Sequence, residues 1–281
     1  MILIADSGST KTDWACVSEN GDRCVRFQSA GYNPNYNTAD NIREDVLKSL
    51  PAVFPVSEVS ELYFYGAGVT ELQYGFITEV MLTVFPNAKK VFVAMDTLAS
   101  ARATLGFNPG FVAIVGTGTN SCLYDGEKIT LNIDSLGFIL GDEGSGGYIG
   151  KKLICDYIRG DLPKRLVPEV AKLIGKTNDE IIDQIYTKPK PNRYCAQFCK
   201  YVGDNRYNDP YFHDLMLGSF RDFFSHIICH YPDYERYKLN CVGSVAFYYQ
   251  DLLSEAASDF GMSLGNVLKA PMDGLIKYHT K

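Results

Sequence analysis

One short pattern occurs twice in the sequence and constrains the fold more than any other feature. Each copy reads as an apolar strand, a turn of glycine and hydroxyl residues, a second strand and an Asx-Gly turn. The copies are MILIADSGSTKTDWACV at Met1–Val17, before Asn20-Gly21, and FVAIVGTGTNSCLYDG at Phe111–Gly126. At an offset of 110, Ser7-Gly8-Ser9 matches Thr117-Gly118-Thr119. The repeat predicts two related halves rather than a solenoid.

The order of elements after the first copy is typical of a mixed α/β sheet. Three strands are expected first, at Met1–Ala5, Asp13–Ser18 and Arg23–Gln28, and helices and strands then alternate to give βββαβαβα. The later elements are Ile42–Leu50, Leu62–Tyr65, Leu72–Val84, Val91–Ala94 and a small-residue helix through Ala99 to Gly106.

The second half is expected to be mostly helical. After the strands Phe111–Val115 and Cys122–Tyr124, its predicted helices are Gly146–Ile158, Glu169–Ile174, Asp179–Tyr186, Pro191–Val202, Pro210–His230 and Phe247–Ala257. A further strand is expected at Leu239–Val242, and a last strand and helix within Ser263–Thr280. The Pro/Gly-rich segment GFNPG at 106–110 marks the boundary between the halves. We expect an N-terminal domain of residues 1–107, a C-terminal domain of residues 108–264, and a last helix at about 265–281 that packs back on the first domain.

Composition excludes several classes of function. The net charge of −6 argues against nucleic-acid binding through a basic face, and no apolar run is long enough to span a membrane. The N-terminus reads as a strand without the basic start of a secretory signal. Eight cysteines lie mostly in apolar runs without a CxxC pair, which indicates reduced thiols in a cytoplasmic protein. Cys195 and Cys199 could meet on a helix, but no matching Cys/His pair lies nearby.

Both turns have the composition of a phosphate-binding site. A tight turn directs backbone N–H groups to one side, and glycine lets an anion approach without meeting a Cβ atom. The residues that add donors or room are Ser9, Thr10, Lys11, Thr117, Gly118 and Thr119. Asp6 would repel phosphate directly, so a Mg²⁺ ion with its water shell is expected between them. Either turn alone is more often a plain polar hairpin, whereas two could grip a polyphosphate from both sides.

Asp96 follows an apolar strand and precedes the small-residue helix, so its carboxylate can project from the end of a sheet. Phosphoryl transfer from ATP to an alcohol needs an acceptor for the alcohol's proton, and one carboxylate can serve. The alternative is an N-cap for the helix, a common position for aspartate. The residues alone leave both interpretations open.

Three further segments carry polar residues that could bind ligands. Asp142 lies in GDEGSG at Gly141–Gly146, which could also be an acidic helix start. Asn33 and Asn35 offer both donors and acceptors to sugar hydroxyls, or they only form turns around Pro34. Gly243 and Ser244 follow a strand and precede a helix, which suits a close approach of adenosine or helix capping by Ser244.

These motifs occur in an order that resembles one family, and the resemblance extends over essentially the whole chain. DSGSTKTD, the GYNPN loop, Met95-Asp96, GTGTNS, GDEGSG and CVGSVA occur in sequence. Together they are similar to the N-acetylglucosamine kinase branch of the BadF/BadG/BcrA/BcrD ATPase family, in the sugar kinase/Hsp70/actin superfamily. The resemblance implies an α/β fold of duplicated ribonuclease H-like (actin-like ATPase) domains, with mixed sheets flanked by helices and an ATP cleft between the domains.

The resemblance also implies a role for each candidate residue. Asp96 would be the general base and Asp142 a sugar ligand, with Asn35, or else Asn33, reaching the sugar from the first domain. Gly146 stands where alanine is common in the motif, which leaves room near the substrate. The two turns would hold the phosphates of ATP, Asp6 the Mg²⁺ side, and Gly243 and Ser244 the adenosine or α-phosphate.

The function implied is ATP-dependent phosphorylation of an amino sugar, with N-acetylglucosamine converted to its 6-phosphate. N-acetylmuramic acid and glucosamine differ by one substituent and stay open as substrates. An ATPase activator of a 2-hydroxyacyl-CoA dehydratase is the alternative, although the cysteines do not reproduce the arrangement that bridges a cluster in those activators. A sugar- or nucleotide-sensing module without turnover is a third. A homodimer is expected at the level of the family only.

Overall fold

The protein is described from a computed structural model, which describes residues 1–8, 10–32 and 37–280. Ser9, Asn33 and Asn35, three of the predicted ligand residues, lie outside the described residues. The chain forms two compact units. The first unit consists of Met1–Pro109, Tyr124–Ile129 and Ala270–Lys281, and the second consists of Gly110–Leu123 and Thr130–Lys269.

The first unit contains a mixed five-stranded sheet in the order β3-β2-β1-β4-β5. Its strands are β1 (Ile2–Ser7), β2 (Lys11–Val17), β3 (Cys24–Ala30), β4 (Glu61–Gly66) and β5 (Lys90–Met95). Strand β2 runs antiparallel to both β1 and β3, and β4 and β5 run parallel to β1. The parallel pairs align the C-terminal ends of β1, β4 and β5, which brings the residues after these strands to one edge of the sheet.

Helices cover both faces of this sheet. Helices α1 (Ala39–Ser49) and α2 (Glu71–Val84) pack on one face, where Leu3, Trp14 and Phe64 form the core with them. Helix α3 (Asp96–Leu105) contacts β1, β4 and β5, and a C-terminal helix packs beside it. Because side chains alternate along a strand, Asp6 and Asp13 point away from the core that contains Leu3 and Trp14.

The second unit repeats the five-stranded plan in the order β10-β9-β6-β7-β8. Its strands are β6 (Gly110–Val115), β7 (Thr119–Tyr124), β8 (Ile129–Leu131), β9 (Lys238–Val242) and β10 (Ser263–Leu268). Strands β6, β9 and β10 are parallel. A connection of three residues between neighbouring strands requires β6 and β7 to be antiparallel, so this sheet is also mixed. The fold class expected from the sequence is confirmed.

The helices of the second unit are mostly those that the sequence predicts. They are α4 (Gly137–Leu140), α5 (Gly146–Arg159), α6 (Val167–Ile174), α7 (Asn178–Tyr186), α8 (Pro191–Ala196), α9 (Cys199–Asp204), α10 (Pro210–His226), α11 (Ser244–Tyr248) and α12 (Gln250–Asp259). The last helix, α13 (Met272–His279), belongs to the first unit. Phe212, Phe220, Phe223 and Phe224 of α10 lie in the core, as its apolar periodicity indicates.

Three expected helices differ from the observed ones. Pro191–Val202 is broken into α8 and α9, because the Phe198 N–H bonds to the Cys195 carbonyl three residues back and tightens the chain there. Phe247–Ala257 is broken at Tyr249, which has non-helical backbone angles and packs its ring against Gly203. Helix α10 ends at His226 instead of His230, since Ile227 leaves the helical conformation. Within the described part of the chain, none of the helices has the length and apolar character needed to cross a membrane.

Candidate active site

The turn of the first hairpin is shorter than the sequence indicates. Strand β1 continues through Asp6 and Ser7, and β2 starts at Lys11, so the connection is residues 8–10. The Gly8 N–H donates to the Lys11 carbonyl at 3.0 Å and closes the turn. Thr10 is exposed. Asp6 is therefore a strand residue, placed directly opposite Asp13 of β2 in the antiparallel register.

The second hairpin has the same form but a different register from the one expected. Strands β1 and β6 end at Ser7 and Val115, and β2 and β7 begin at Lys11 and Thr119, so both boundaries differ by 108 residues. The offset of 110 inferred from the letters is wrong. Strand ends, rather than the hydroxyl-Gly-hydroxyl pattern, determine which residues are equivalent, and Gly8 corresponds to Gly116.

Lys11, a predicted phosphate ligand, is paired with an acid in this structure. Its Nζ lies 2.8 Å from Asp13 Oδ2, and Gln28 Nε2 donates to Asp13 Oδ1 at 2.6 Å. The Lys11 side chain is about half exposed, so the pair is held weakly and the lysine can turn toward an anion at low cost.

Asp6 and Asp96 form an acidic pair at the edge of the first sheet. Asp96 is the first residue of α3, directly after β5, and the N-cap position belongs to Met95. Burial raises the pKa of Asp96 to about 6, against the effect of backbone N–H groups of Thr97 and of Asp96 itself, which bond to its carboxylate. Burial, and then the charges of Asp96 and Asp13, raise the pKa of Asp6 to about 7, while Lys11 opposes them.

The Asp6 and Asp96 carboxylates suit a magnesium ion whose remaining ligands are water and substrate phosphates. In the residues the structure describes, no group of three or more histidine, cysteine or acidic side chains is arranged to hold a metal. Mg²⁺ commonly takes one or two carboxylates and completes its shell with water and substrate phosphates. The charge of an ion would also relieve the repulsion that raises the pKa of Asp6. Asp6 therefore fits such an ion as one ligand.

The turn of the second hairpin is bound to a buried aspartate. The Gly116 N–H donates to the Gly118 carbonyl at 3.0 Å, and the Thr119 N–H donates to Asp142 Oδ1 at 3.1 Å. A Cβ atom on Gly118 would lie 2.8 Å from Asp142 Oδ2, so only glycine leaves room for this carboxylate. Thr119 Oγ1 is buried and has no hydrogen-bond partner in the described residues, which suits a hydroxyl that binds a ligand oxygen.

Asp142 is fixed by its backbone as well as by its side chain. It has a positive φ of 60°, its N–H donates to the Ser135 carbonyl at 2.9 Å, and its own carbonyl accepts from the Ser145 N–H at 3.1 Å. Burial raises the pKa of Asp142, while the N–H of Thr119 and the side chain of Ser135 oppose that shift. Asp142 is 7% exposed, so few oxygen positions are left open to a ligand.

The start of α5 is bonded to the same turn. The Gly146 N–H donates to the Gly116 carbonyl at 2.8 Å, and the Gly147 N–H donates to the Thr117 carbonyl at 3.0 Å. These N–H groups are thus used within the protein and do not bind an anion. A Cβ atom on Gly146 would lie 3.4 Å from the Cβ of Cys199. Gly146 therefore borders α9 and the turn.

Gly243 occupies a backbone position that only glycine can take. Its φ is 134°, and a Cβ atom there would overlap the Val115 carbonyl at the end of β6. Strand β9 can therefore pass directly into α11 beside the turn of the second hairpin. Ser244 is the first residue of α11 and Gly243 is its N-cap, so the interpretation of Ser244 as a helix cap is wrong.

Each unit thus brings together its own set of predicted residues. The first unit joins Asp6 and Asp96 at one sheet edge and places the Lys11 turn beside them. The second unit gathers the Thr117–Thr119 turn, Asp142, Gly146 and Gly243 around the end of β6. Sequence reasoning missed Asp13, which lies opposite Asp6. The antiparallel register of the two predicted strands could have identified it.

Comparisons with known proteins agree with the resemblance in the sequence. A candidate N-acetylglucosamine kinase from Porphyromonas gingivalis has a TM-score of 0.93 and 38% identity, over 100% of this chain and 99% of that one. The chain belongs to the N-acetylglucosamine kinase-like family. No protein-family model matches the sequence, and no match was found among curated proteins.

More distant structures share the fold of this family member. A candidate N-acetylglucosamine kinase from Chromobacterium violaceum has a TM-score of 0.76 at 17% identity, over 99% of this chain and 98% of that one. A ROK family glucokinase from Streptomyces griseus, in complex with glucose and AMPPNP, has a TM-score of 0.56 at 15% identity, over 99% and 98% of the two chains. The fold is that of the actin-like ATPases and sugar kinases.

Proposed function

We propose that the protein is an ATP-dependent kinase that converts N-acetylglucosamine to its 6-phosphate. The observation that carries this proposal is Asp96, a partly buried carboxylate directly after β5 whose pKa is raised to about 6. Such a group is ionised at neutral pH and still basic enough to accept the proton of a sugar hydroxyl. The Porphyromonas relative, with 38% identity over the whole chain, supports the same activity.

In this mechanism the protein supplies mainly position and charge. Asp96 orients the 6-hydroxyl and takes its proton as the oxygen attacks the γ-phosphoryl group of ATP. The turns at Ser9–Lys11 and Thr117–Thr119 hold the phosphates through N–H groups, hydroxyls and the Lys11 ammonium. Asp6 would hold Mg²⁺, which neutralises negative charge on the phosphates when bound. Gly243 and Ser244 would lie against the adenosine or the α-phosphate.

The sugar ligands complete the proposal. Asp142, Gly146 and either Asn35 or Asn33 would contact the sugar. Asp142 is the best supported of them, because its fixed backbone and the Thr119 N–H hold its side chain in place, where its remaining lone pairs can accept hydrogen bonds from hydroxyls. A homodimer and a cytoplasmic location also remain proposals. The location is supported by the eight cysteines, for which the described residues show no disulfide bond.

The decisive experiment is an ATP-coupled assay over N-acetylglucosamine, N-acetylmuramic acid, glucosamine and N-acetylmannosamine. We expect phosphorylation of N-acetylglucosamine, and a loss of about 100-fold or more in kcat for Asp96→Asn. Asp40→Asn is the matched control, because Asp40 also lies in the first turn of a helix but is exposed on α1. Retained sugar phosphorylation in Asp96→Asn would show that another group is the base.

The assay also separates the alternatives. Binding of ATP and sugar without turnover for any member of the panel would favour a sensing module. An iron-containing, coloured preparation would favour a dehydratase activator.

A further inference from the structure

The chain before Asp142 has little anchoring of its own in the core. Residues 135–142, here called the Asp142 segment, contain α4 and end at Asp142. Three apolar side chains of the segment are exposed and do not anchor it, namely Leu136, Ile139 and Leu140. Phe138 packs inward against the core of the second unit. Its ring lies 3.5 Å from the position of a Cβ atom on Gly147 of α5, so α5 supports the segment from below.

Two residues of the Asp142 segment have an unfavourable backbone conformation. The φ angles of Leu136 and Asp142 are 59° and 60°, in the left-handed region that residues other than glycine rarely occupy. Such residues keep this conformation only where surrounding contacts hold them. The Gly141 N–H donates to the Gly137 carbonyl at 2.8 Å, but this bond lies within the segment and does not tie α4 to another element.

Lys151 of α5 ties α4 to a helix of the core. Its Nζ donates to the Phe138 carbonyl at 2.8 Å. The same ammonium lies 5.1 Å from the centre of the Phe138 ring and 5.4 Å from that of the Tyr148 ring, distances at which a cation is attracted to an aromatic face. Helix α5 is itself fixed in the core through Ile149 and Leu153. Lys151 therefore holds Phe138, by carbonyl and ring, against a firmly packed helix.

The charge of Lys151 also acts on Asp142. Burial raises the pKa of Asp142, and the positive charge of Lys151 is among the effects that oppose this shift. A nearby ammonium favours the ionised carboxylate, which accepts hydrogen bonds through both oxygens. Lys151 thus acts on one residue in two ways, because it fixes the helix that precedes Asp142 and supports the charge of its side chain.

We propose that Lys151 is a positioning residue of the sugar site, which sets the affinity for the sugar by holding α4 and Asp142 in the arrangement that binds it. This inference rests on the proposed function, in which Asp142 is a sugar ligand. Without Lys151 the Phe138 carbonyl loses this hydrogen bond, and the Asp142 segment relaxes into other arrangements. The apparent dissociation constant of the sugar then rises by the inverse of the fraction that stays competent to bind. Saturating sugar restores the bound arrangement, so kcat is retained.

Steady-state kinetics of Lys151→Met test this role. The sugar is varied at saturating ATP, and ATP is varied at saturating N-acetylglucosamine. We expect KM for the sugar to rise about 10-fold or more, while kcat and KM for ATP stay within about 2-fold of the unmodified values. Lys151→Arg keeps a cation that can donate to the Phe138 carbonyl, and it should restore KM for the sugar to within about 3-fold.

The neighbouring lysine provides the matched control. Lys152 lies on the same helix, and its Nζ is 5.2 Å from the centre of the Tyr148 ring. It pairs with Asp222 of α10 at 2.9 Å rather than with α4. Lys152→Met should therefore leave KM for the sugar within about 2-fold of the unmodified value.

Hydrogen exchange reports on the Asp142 segment without sugar or turnover. In Lys151→Met, peptides that cover residues 135–142 should exchange about 5-fold or more faster than in the unmodified protein, because the segment opens more often. Peptides from α12 should not change. Lys151→Gln, whose amide is uncharged and one atom shorter, gives the same comparison if Lys151→Met does not fold. A purely structural role would speed exchange throughout the unit and would not raise KM for the sugar alone.

The outcomes separate this inference from the proposed function. If Lys151→Met keeps the sugar KM of the unmodified protein, or Lys152→Met raises it equally, Lys151 does not position the sugar site and the kinase proposal stands. A raised sugar KM with unchanged exchange at 135–142 would also contradict the inference, because α4 would then be held without Lys151. If the unmodified protein phosphorylates no sugar of the panel, the proposed function itself fails, and this inference fails with it.

Discussion

Asp6, near the end of β1, and Asp96, directly after β5, lie at one edge of the same sheet, with β4 between the two strands. Burial raises the pKa of both carboxyl groups, and the negative charges of Asp96 and Asp13 raise the pKa of Asp6 further. A carboxylate in this state is costly to keep ionised. Such an arrangement is characteristic of a catalytic or ion-binding site rather than of a helix cap. At the scale of single residues, burial therefore favours a catalytic or ion-binding role over a helix cap, a choice that the motif alone leaves open.

The raised pKa of Asp96 predicts an acidic limb in the pH profile of the reaction. Below pH about 6 the carboxylate is protonated and cannot accept the proton of the sugar hydroxyl. We expect kcat/KM for N-acetylglucosamine to fall about tenfold per pH unit below 6 and to level off above 7. A steady-state profile from pH 4.5 to 8.5 measures this. A profile that stays flat down to pH 4.5 would rule out a base with this pKa.

The same residue predicts a gain of stability when its charge is removed. The pKa of Asp96 is higher in the folded protein than the ordinary 3.8, so the folded state is favoured below pH 4 and loses that advantage as the pH rises through about 6. Asp96→Asn should therefore raise the free energy of unfolding at pH 8 by about 1–3 kcal/mol. Urea denaturation at pH 8 and pH 4 checks this, and the gain should be absent at pH 4.

The sequence predicts site residues well where a motif and a strand end coincide, as at Asp6, Asp96 and Gly243. It fails where a tertiary contact decides the role. Asp142 was predicted as a sugar ligand. In the structure its carboxylate also accepts from the Thr119 N–H, 23 residues earlier in the chain. The buried side chain of Ser7 bonds to Thr12 and Tyr32, and no local pattern in DSGSTKTD reveals these contacts.

At the scale of elements, the hairpin of the second unit depends on one glycine. A side chain on Gly118 would meet both oxygens of Asp142, at 2.8 and 3.0 Å from the new Cβ atom. Gly118→Ala should therefore displace the Asp142 carboxylate and lower kcat/KM for sugar phosphorylation by about tenfold or more. The assay is the same coupled assay, with circular dichroism to show that the fold is retained. Activity equal to that of the unmodified protein would mean that the close contact between Gly118 and Asp142 is not needed for catalysis.

A glycine in a free helical position provides the matched control. Gly75 is exposed within α2, and nothing lies within 4 Å of the Cβ atom that alanine would add. Gly75→Ala should raise the free energy of unfolding by about 0.5–1 kcal/mol, because glycine loses more conformational freedom than alanine in a helix. Activity should not change. Thermal and urea denaturation measure the gain, and a loss of stability would contradict the expected helical backbone at this position.

The sequence predicts helices correctly where the apolar periodicity is strong. It misses the places where tertiary packing breaks a helix. Helix α10 follows its apolar spacing through Phe212 to Phe224, so the sequence predicts it well. The break between α8 and α9 has no proline or glycine to signal it, since Pro191 only starts α8. The Cys195 carbonyl, which accepts from the Phe198 N–H at this break, also packs closely against Gly150 of α5, a tertiary contact that the local sequence does not contain.

At the scale of the whole molecule, the end of the chain returns to the first unit and is held there by a partly buried polar cluster. Tyr65 OH lies 2.8 Å from His279 Nε2 and accepts from Arg102 Nη1 at 2.7 Å. The lowered pKa of His279 keeps its ring neutral in this contact. Gly274 of α13 packs against Ala103 of α3 so closely that a side chain would clash with its backbone. Helix α13 thus completes the face of the sheet on which Asp96 begins α3.

His279 should make the protein sensitive to acid. Burial, and then the charges of Arg102 and Lys90, lower the pKa of His279 to about 3 from the ordinary 6.5. The unfolded chain then binds a proton below pH 6.5 that the folded protein does not bind. Stability from this group is complete above pH 6.5 and is lost as the pH falls toward 3, by at most about 1.4 kcal/mol per pH unit. Asp6 and Asp96 change stability in the opposite direction, so a variant is needed to isolate the histidine.

His279→Gln provides that variant, because glutamine can accept the Tyr65 hydrogen bond and does not titrate. Between pH 7 and pH 4.5, the unmodified protein should lose about 2 kcal/mol more unfolding free energy than His279→Gln. His230→Gln, which changes an exposed histidine, should follow the unmodified protein. Urea denaturation at the two pH values gives all three differences. If His279→Gln and the unmodified protein lose equal stability, His279 is protonated in the folded state, and the neutral contact with Tyr65 does not hold α13 in place.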